Sequence, residues 1–298
     1  MLKRILLAFG ISVLGVSSTL AVAQNFDEIG LKTTHVGGSV YMLEGTGGFA
    51  GGNIGVSAGK DGILIVDDQF LQMADKIRAA IGELSDGDLR FVLNTHWHSD
   101  HTGGNIHFSK DATIIAHQNV RKRLMSKQSN RFGVSPPQPK KAWPVITFDH
   151  SLNIHFNGED IRFIHFPNGH TDGDGVVYFP KSKVAHLGDH FFVDRFPFVD
   201  LNSGGNVIGY TENIDKMLEL FPEDVKIIPG HGPLANIEDL KRYHEMLVET
   251  TTVVKEYKQS GMSLEEAQDE GLPLDWTDWG VGFIVEKDWI ATIYNSID

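Results

Sequence analysis

The chain has 298 residues, 14 histidines, no cysteine and a formal charge of −13 at neutral pH. Without thiols there is no disulfide framework and no thiolate ligand. Any metal must sit on imidazole and carboxylate, which suits zinc and, less selectively, iron or manganese. The acidic balance argues against nucleic acid as a partner, because a phosphate-binding surface is ordinarily basic.

Residues 1–23 read as a signal peptide. Lys3 and Arg4 form a positive start, residues 5–16 are almost wholly apolar, and Ala21-Val22-Ala23 offers a small-residue cleavage site. The apolar run is too short to span a bilayer comfortably, so cleavage before Gln24 is expected, with no membrane insertion afterwards. The product would then lie outside the cytoplasmic membrane, in the periplasm if the source is Gram-negative and otherwise secreted. Losing Lys3 and Arg4, and no acid, takes the formal charge to −15. Residues 24–298 are long enough for one well-buried core and too short for two comfortable domains, so a single domain is expected.

Strand-like runs fall at residues 39–43, 53–57 and 62–66, the last after the turn Gly59-Lys60-Asp61-Gly62. Between the first two, residues 45–52 are glycine-rich but lack the Lys and Ser/Thr of a phosphate loop. They predict a mobile hairpin with Phe49 at its tip as a candidate substrate contact. Ser57 falls within both Gly-x-Ser-x-Gly and Ser-x-x-Lys patterns, but a strand–turn–strand context is wrong for a nucleophile. Residues 73–84 have helical spacing, with Ile77, Ala80, Ile81 and Leu84 on one face. A strand at 91–94 leads into a histidine-rich loop, and another at 113–116 precedes a helix ending near residue 125. Residues 126–144 carry Pro136, Pro137, Pro139 and Pro144 and read as a long surface connection. Strands follow at 161–166, 175–179 and 184–187, then a helix at 209–221, a strand at 225–228, and helices after 236. Strand–helix alternation in both halves predicts an α/β fold of two packed sheets with helices on the outer faces, an αββα sandwich.

The run Thr95-His96-Trp97-His98-Ser99-Asp100-His101-Thr102-Gly103-Gly104-Asn105 follows a strand. In extended backbone alternate residues point the same way, so His96 and His98 can converge on one ion. As the chain turns, Asp100 and His101 face a second point nearby. Three later residues look like the completion: His170 after Gly169, Asp189 after Gly188, and His231 after Gly230. Each is expected at the carboxyl end of a strand, on one rim of the sandwich. His165, His186 and His190 read as hydrogen-bonded structure. Phe191, Phe192, Phe196 and Phe198 read as core around Arg195, whose role stays open.

Taken with Asp67 after the strand Ile63-Leu64-Ile65-Val66, these residues stand in the order of the metallo-β-lactamase superfamily. The chain resembles that family over about residues 36–235. The resemblance implies that His96, His98 and His170 hold one zinc, that Asp100, His101 and His231 hold a second, and that Asp189 bridges both. Asp67 would orient ligands without being one. Asp189 stands where the commonest zinc β-lactamases have cysteine, so the ligand set is nearer the glyoxalase II and lactonase branches. β-Lactam cleavage is compatible with it without being implied.

Two zinc ions, two carboxylates and a hydroxide sum to a site charge of about +1, which attracts a carbonyl oxygen or a carboxylate. The expected reaction is attack by a metal-bridging hydroxide on the acyl carbon of a small β-lactam, lactone, ester or thioester. Asp100 would accept and return the proton. The alternatives are a metal-dependent phosphodiesterase, an iron redox enzyme, or a metal-binding protein without catalysis. The acidic charge opposes the first, and the second meets His98 where the di-iron branch uses a carboxylate. The third would ordinarily have lost a ligand, and all seven stand here.

Overall fold

The computed structural model describes residues 25–130 and 133–297, so the signal peptide expected over residues 1–23 lies outside the described residues. Every residue of the strand Gly62–Val66 is buried, which requires both faces of its sheet to be covered. Ile63 and Ile65 join one apolar cluster with Ile77 and Phe108, while Leu64 and Val66 join another with Phe163 and Val177. The strand Gly175–Phe179 divides in the same way. Val177 and Phe179 enter that second cluster, whereas Val176 and Tyr178 enter a third with Tyr210 and Leu240. Period-two alternation in two buried strands thus defines three cores: helix against sheet, sheet against sheet, and sheet against helix.

The first sheet is built from β1 (Gly30–Gly37), β2 (Val40–Thr46), β3 (Ile54–Gly59), β4 (Gly62–Val66), β5 (Leu89–Asn94) and β6 (Thr113–His117). After a separate hairpin of β7 (Gln128–Asn130) and β8 (Gly133–Ser135), β9 (Ile146–Phe148) closes its far edge. The first four strands are antiparallel neighbours, and β4, β5, β6 and β9 run parallel. The second sheet follows chain order from β10 (Ser151–Phe156) through β11 (Glu159–His165), β12 (Gly175–Phe179), β13 (Val184–Phe192) and β14 (Lys226–His231) to β15 (Ala235–Asn236). Only β13 and β14 are parallel within it.

Parallel neighbours need crossovers, and helices supply them. α1 (Ala74–Gly82) joins β4 to β5, and the short α2 (Ser99–Thr102) and α3 (Asn105–Phe108) join β5 to β6. After β6 comes α4 (Gln118–Leu124). In the second half α5 (Val207–Leu220) joins β13 to β14, and α6 (Ile237–Gln259), α7 (Leu264–Glu270) and α8 (Glu286–Ser296) follow. α6 starts where Asn236 and Asp239 form a reciprocal capping box. Among the described residues no helix is long and apolar enough to cross a membrane.

The fold is the αββα sandwich expected. The described residues of 126–144 are mostly exposed, as expected of a surface connection, but they are not structureless: they contain the β7–β8 hairpin and a 3-10 turn at Lys140–Ala142. Arg123 Nη1 donates to Gln128 Oε1, and Asn105 Nδ2 donates to the Ala142 carbonyl, so both ends of the segment are tied to the body. Strands of three residues are too short to show a period against four prolines. The edge strands β1, β9, β10 and β15 were not anticipated either. Burial in β1 and β10 is too patchy to give a strong alternating signal.

The last helix belongs to the core. Trp289 in α8 is fully buried, and its Nε1 donates to Thr250 Oγ1 in α6 at 3.0 Å. Trp289→Ala should destabilise the protein by about 3–5 kcal/mol, the range for deleting a buried aromatic. Chemical denaturation checks this, and an unchanged midpoint would mean that α8 packs only peripherally.

Candidate metal centre

Several loops that carry site residues leave strands at one rim of the sandwich. Asp67 follows β4, the run from Thr95 to His101 follows β5, His170 lies between β11 and β12, and His231 ends β14. Asp189 departs from expectation. It lies inside β13, where pairing with β14 slips on both sides of Gly188. Gly188 has φ +53°, a left-handed conformation that glycine adopts at no steric cost and that breaks the strand's alternation. Gly230 is required for a different reason: a Cβ there would lie 2.1 Å from Asp189 Oδ1.

Two groups of donors result. His96, His98, His170 and Asp189 offer atoms within 4.8 Å of one another, and so do Asp100, His101 and His231. Asp189 faces both. Its Oδ2 lies 3.7 Å from His96 Nε2 and 3.5 Å from His170 Nε2, while its Oδ1 lies 3.0 Å from His101 Nε2 and 3.4 Å from His231 Nε2. Asp100 Oδ2 closes the second group, 3.3 Å from His231 Nε2 and 3.5 Å from His101 Nε2.

The far side of four rings is held by a fixed acceptor, and this settles which nitrogen faces inward. His101 Nδ1 donates to Asp67 Oδ2 at 2.7 Å, and His170 Nδ1 donates to the Phe198 carbonyl at 2.6 Å. Thr95 Oγ1 donates to Asp67 Oδ2 and so accepts from His96 Nδ1 at 3.1 Å. His98 is reversed, with Nε2 donating to Asp200 Oδ2 at 3.1 Å, so its inward atom is Nδ1. His98 Nδ1 and His170 Nε2 then face each other with lone pairs at 2.8 Å, which only a proton or a metal cation between them stabilises. His96 Nε2 is buried with no hydrogen-bond partner. An orphaned imidazole nitrogen beside a converging lone-pair set fits a resident cation, and imidazole with carboxylate suits zinc.

Electrostatics separates the two groups. Burial presses His96 well below its usual pKa and brings His170 down to about 4, so both stay neutral donors. Burial opposes protonation of His101 and His231 too, but there the Asp189 and Asp100 carboxylates prevail. His101 is raised well above its usual value and His231 to about 9. Burial likewise opposes ionisation of Asp100, yet His101 and His231 hold it at about 2. The protein alone balances its buried carboxylates with protons on the nitrogens that a second divalent ion would take.

The structure brings together all seven residues expected as ligands, with Asp67 behind them. Ser57 is buried, accepts from Asn157 Nδ2 and is no exposed nucleophile. His186 Nε2 donates to the Asn53 carbonyl, and His165 Nδ1 donates to that of Asp174. The hairpin is tied down at its base. Gly52 N donates to the Asp100 carbonyl, Asn53 N to that of Gly230, and Asn53 Nδ2 to those of Pro229 and Gly232. Its tip is exposed, and the Phe49 ring lies 5.5 Å from that of His231. Of the phenylalanines around Arg195, Phe191, Phe192 and Phe196 are core as expected, whereas Phe198 is only half-buried; Phe192, Phe196, Phe198 and Arg195 also line the cleft above the donors.

Asp200 was missed, since nothing in Phe198-Val199-Asp200 marks it as a partner of a histidine 102 residues earlier. Ser203 Oγ and His98 Nε2 both donate to its Oδ2. Asp200→Ala should free the His98 ring and weaken metal binding by about 10–100-fold with the fold retained. Competition with a chromogenic chelator measures this, and unchanged affinity would show that Asp200 does not orient His98.

The profile of the metallo-β-lactamase superfamily matches residues 48–231. A probable metallo-hydrolase of Bacillus subtilis, YqgX, is 30% identical over 185 residues, covering 58% of this chain and 85% of its own. A type 2 metallo-β-lactamase of Bacteroides fragilis is 22% identical over 170 residues, 57% of this chain and 61% of its own. Among solved structures, a metallo-β-lactamase from Pontibacter korlensis superposes with a TM-score of 0.61 at 16% identity, over 73% of this chain and 99% of that one. With two donor groups joined by one carboxylate, the expected αββα layers and a profile match that spans the rim, the chain belongs to the metallo-β-lactamase superfamily.

Proposed function

We propose that this dinuclear metal hydrolase cleaves the acyl bond of a small molecule, with Asp189 as the ligand shared by both ions. The observation that carries the reading is the Asp189 carboxylate, one oxygen turned to each donor group. It lies on the lining of a cleft of about 820 Å³, a volume typical of small-molecule sites. His96, His98 and His170 would hold one ion, and Asp100, His101 and His231 the other. Bound there, two zinc ions lower the pKa of water and polarise a carbonyl oxygen.

The chain's own groups do the rest. Asp67, Thr95, Asp200 and the Phe198 carbonyl hold four imidazoles in the tautomer that presents a lone pair. Asp100, at the cleft lining, takes the proton released as water adds to the acyl carbon, and returns it to the leaving heteroatom. Trp97, Phe192 and Phe198 limit water around the donors. Acyl rather than phosphodiester cleavage is favoured by the scarcity of cations. Among the described cleft residues these are Arg123 and Arg195, and Arg123 is already bound to both carboxylate oxygens of Asp172. Asp189 in place of cysteine favours lactones, esters or thioesters over β-lactams, although the similar proteins of Bacteroides fragilis and Pontibacter korlensis are named β-lactamases. Lys3, Arg4, the apolar run after them and Ala21-Val22-Ala23 support export from the cytoplasm, with residues 24–298 as one domain after removal of residues 1–23.

Chelation should abolish turnover and added zinc restore it, at about two zinc ions per chain. A panel of lactone, thioester, β-lactam and phosphodiester identifies the bond cleaved. Full activity in rigorously metal-free protein would refute the mechanism. Asp189→Ala should leave a folded protein that binds about one ion fewer and turns over about 100-fold or more slowly. Two tightly held ions and an unchanged rate would remove Asp189 from the centre.

A further inference from the structure

The cleft above the donors is walled by apolar side chains on two sides. On one, Phe49 lies 5.6 Å from Phe70 and 5.5 Å from His231. On the other, Phe198 lies 5.7 Å from His98 and 5.6 Å from His170, and Phe283 continues it outward at 6.2 Å from Phe198. This second wall climbs from the donors to the surface: Phe198 is half-buried, whereas Phe283 is 64% exposed. Val134 of the β7–β8 hairpin, 59% exposed, lines the same cleft. Large apolar side chains standing in water mark a surface that something apolar covers, and here Phe198 and Phe283 form a strip continuous with the metal centre, with Val134 on the lining of the same cleft.

The position of this strip says what the occupant is. Because it begins against His98 and His170, whatever lies along it also reaches the place where a bond is broken. Arg123 is bound to Asp172 and Gln128, which leaves Arg195 as the other arginine of the described cleft, too little side-chain charge to favour a polyanion. We infer that the substrate carries an extended apolar chain beside its scissile acyl bond, and that Phe198, Phe283 and Val134 form the wall against which the chain lies. This inference rests on acyl hydrolysis being the reaction.

The test uses zinc-loaded protein and p-nitrophenyl acetate, butyrate, hexanoate and octanoate, with kcat/KM taken below the concentration at which each aggregates and the rate then followed past it. Along this series kcat/KM should rise by about two- to fourfold per added methylene, as expected when each is partly to fully buried. Phe283→Ala removes an exposed ring and should fold normally. It should lower the octanoate-to-acetate ratio by about five- to tenfold, while Leu274→Ala, which is 87% exposed and outside the cleft, leaves the ratio unchanged. Hydrolysis of acetate with no dependence on chain length would overturn the inference and leave the acyl reading standing. Turnover that rises only above the aggregation threshold would also overturn it, in favour of docking to an apolar surface. No hydrolysis of any ester, with a phosphodiester turned over, would overturn both.

Discussion

Asp189 has to satisfy four imidazole nitrogens, two from each side, from inside a strand whose other residues are buried. A buried carboxylate is costly unless positive charge or hydrogen-bond donors surround it, and two cations near each other repel unless negative charge lies between them. The requirement is mutual, and the surrounding structure follows from it. β13 slips against β14 to turn this residue to the rim, and residue 230 is glycine because Asp189 Oδ1 lies against it. Tyr210 in α5 donates to the Asp189 carbonyl at 2.8 Å and also meets Tyr243 of α6 at 2.8 Å. The helical layer behind the second sheet thus helps to fix the backbone of Asp189.

The first sheet answers with a second carboxylate. Asp67 leaves β4 with φ +65°, a conformation that costs a non-glycine residue of order 1 kcal/mol or more. In exchange it accepts from Thr95 N, Thr95 Oγ1 and His101 Nδ1, each at 2.7 Å. One buried acid therefore fixes the loop after β5 and the orientation of a ring belonging to the second donor group. Because the donors come from both sheets, ions bound among them tie the two layers together, and metal binding adds to fold stability through linkage.

Much of this was legible in the sequence for a local reason. The run from His96 to His101 puts four donors in six residues, and His170, Asp189 and His231 each follow a glycine near a strand. The fully buried strands β4 and β12 announced themselves as short apolar runs bounded by turns. What stayed hidden depends on contacts distant in the chain. Asp200 acts on His98 across 102 residues, and the inward nitrogen of His98 is decided only by that contact. The slip that carries Asp189 depends on pairing with β14, which no local pattern reports. Phe198 reads as core yet stands half-buried at the cleft, because hydrophobicity alone does not separate an interior from a cleft wall.

The most direct measurement of the central claim is anomalous diffraction at the zinc edge from crystals of zinc-loaded protein. Two peaks should lie on either side of the Asp189 carboxylate, roughly 3.5–4 Å apart as in other two-metal sites. One should be in contact with His96 Nε2, His98 Nδ1 and His170 Nε2, and the other with Asp100, His101 and His231. A single peak, or two peaks with the Asp189 carboxylate bound to neither or only one, would contradict the shared-ligand account.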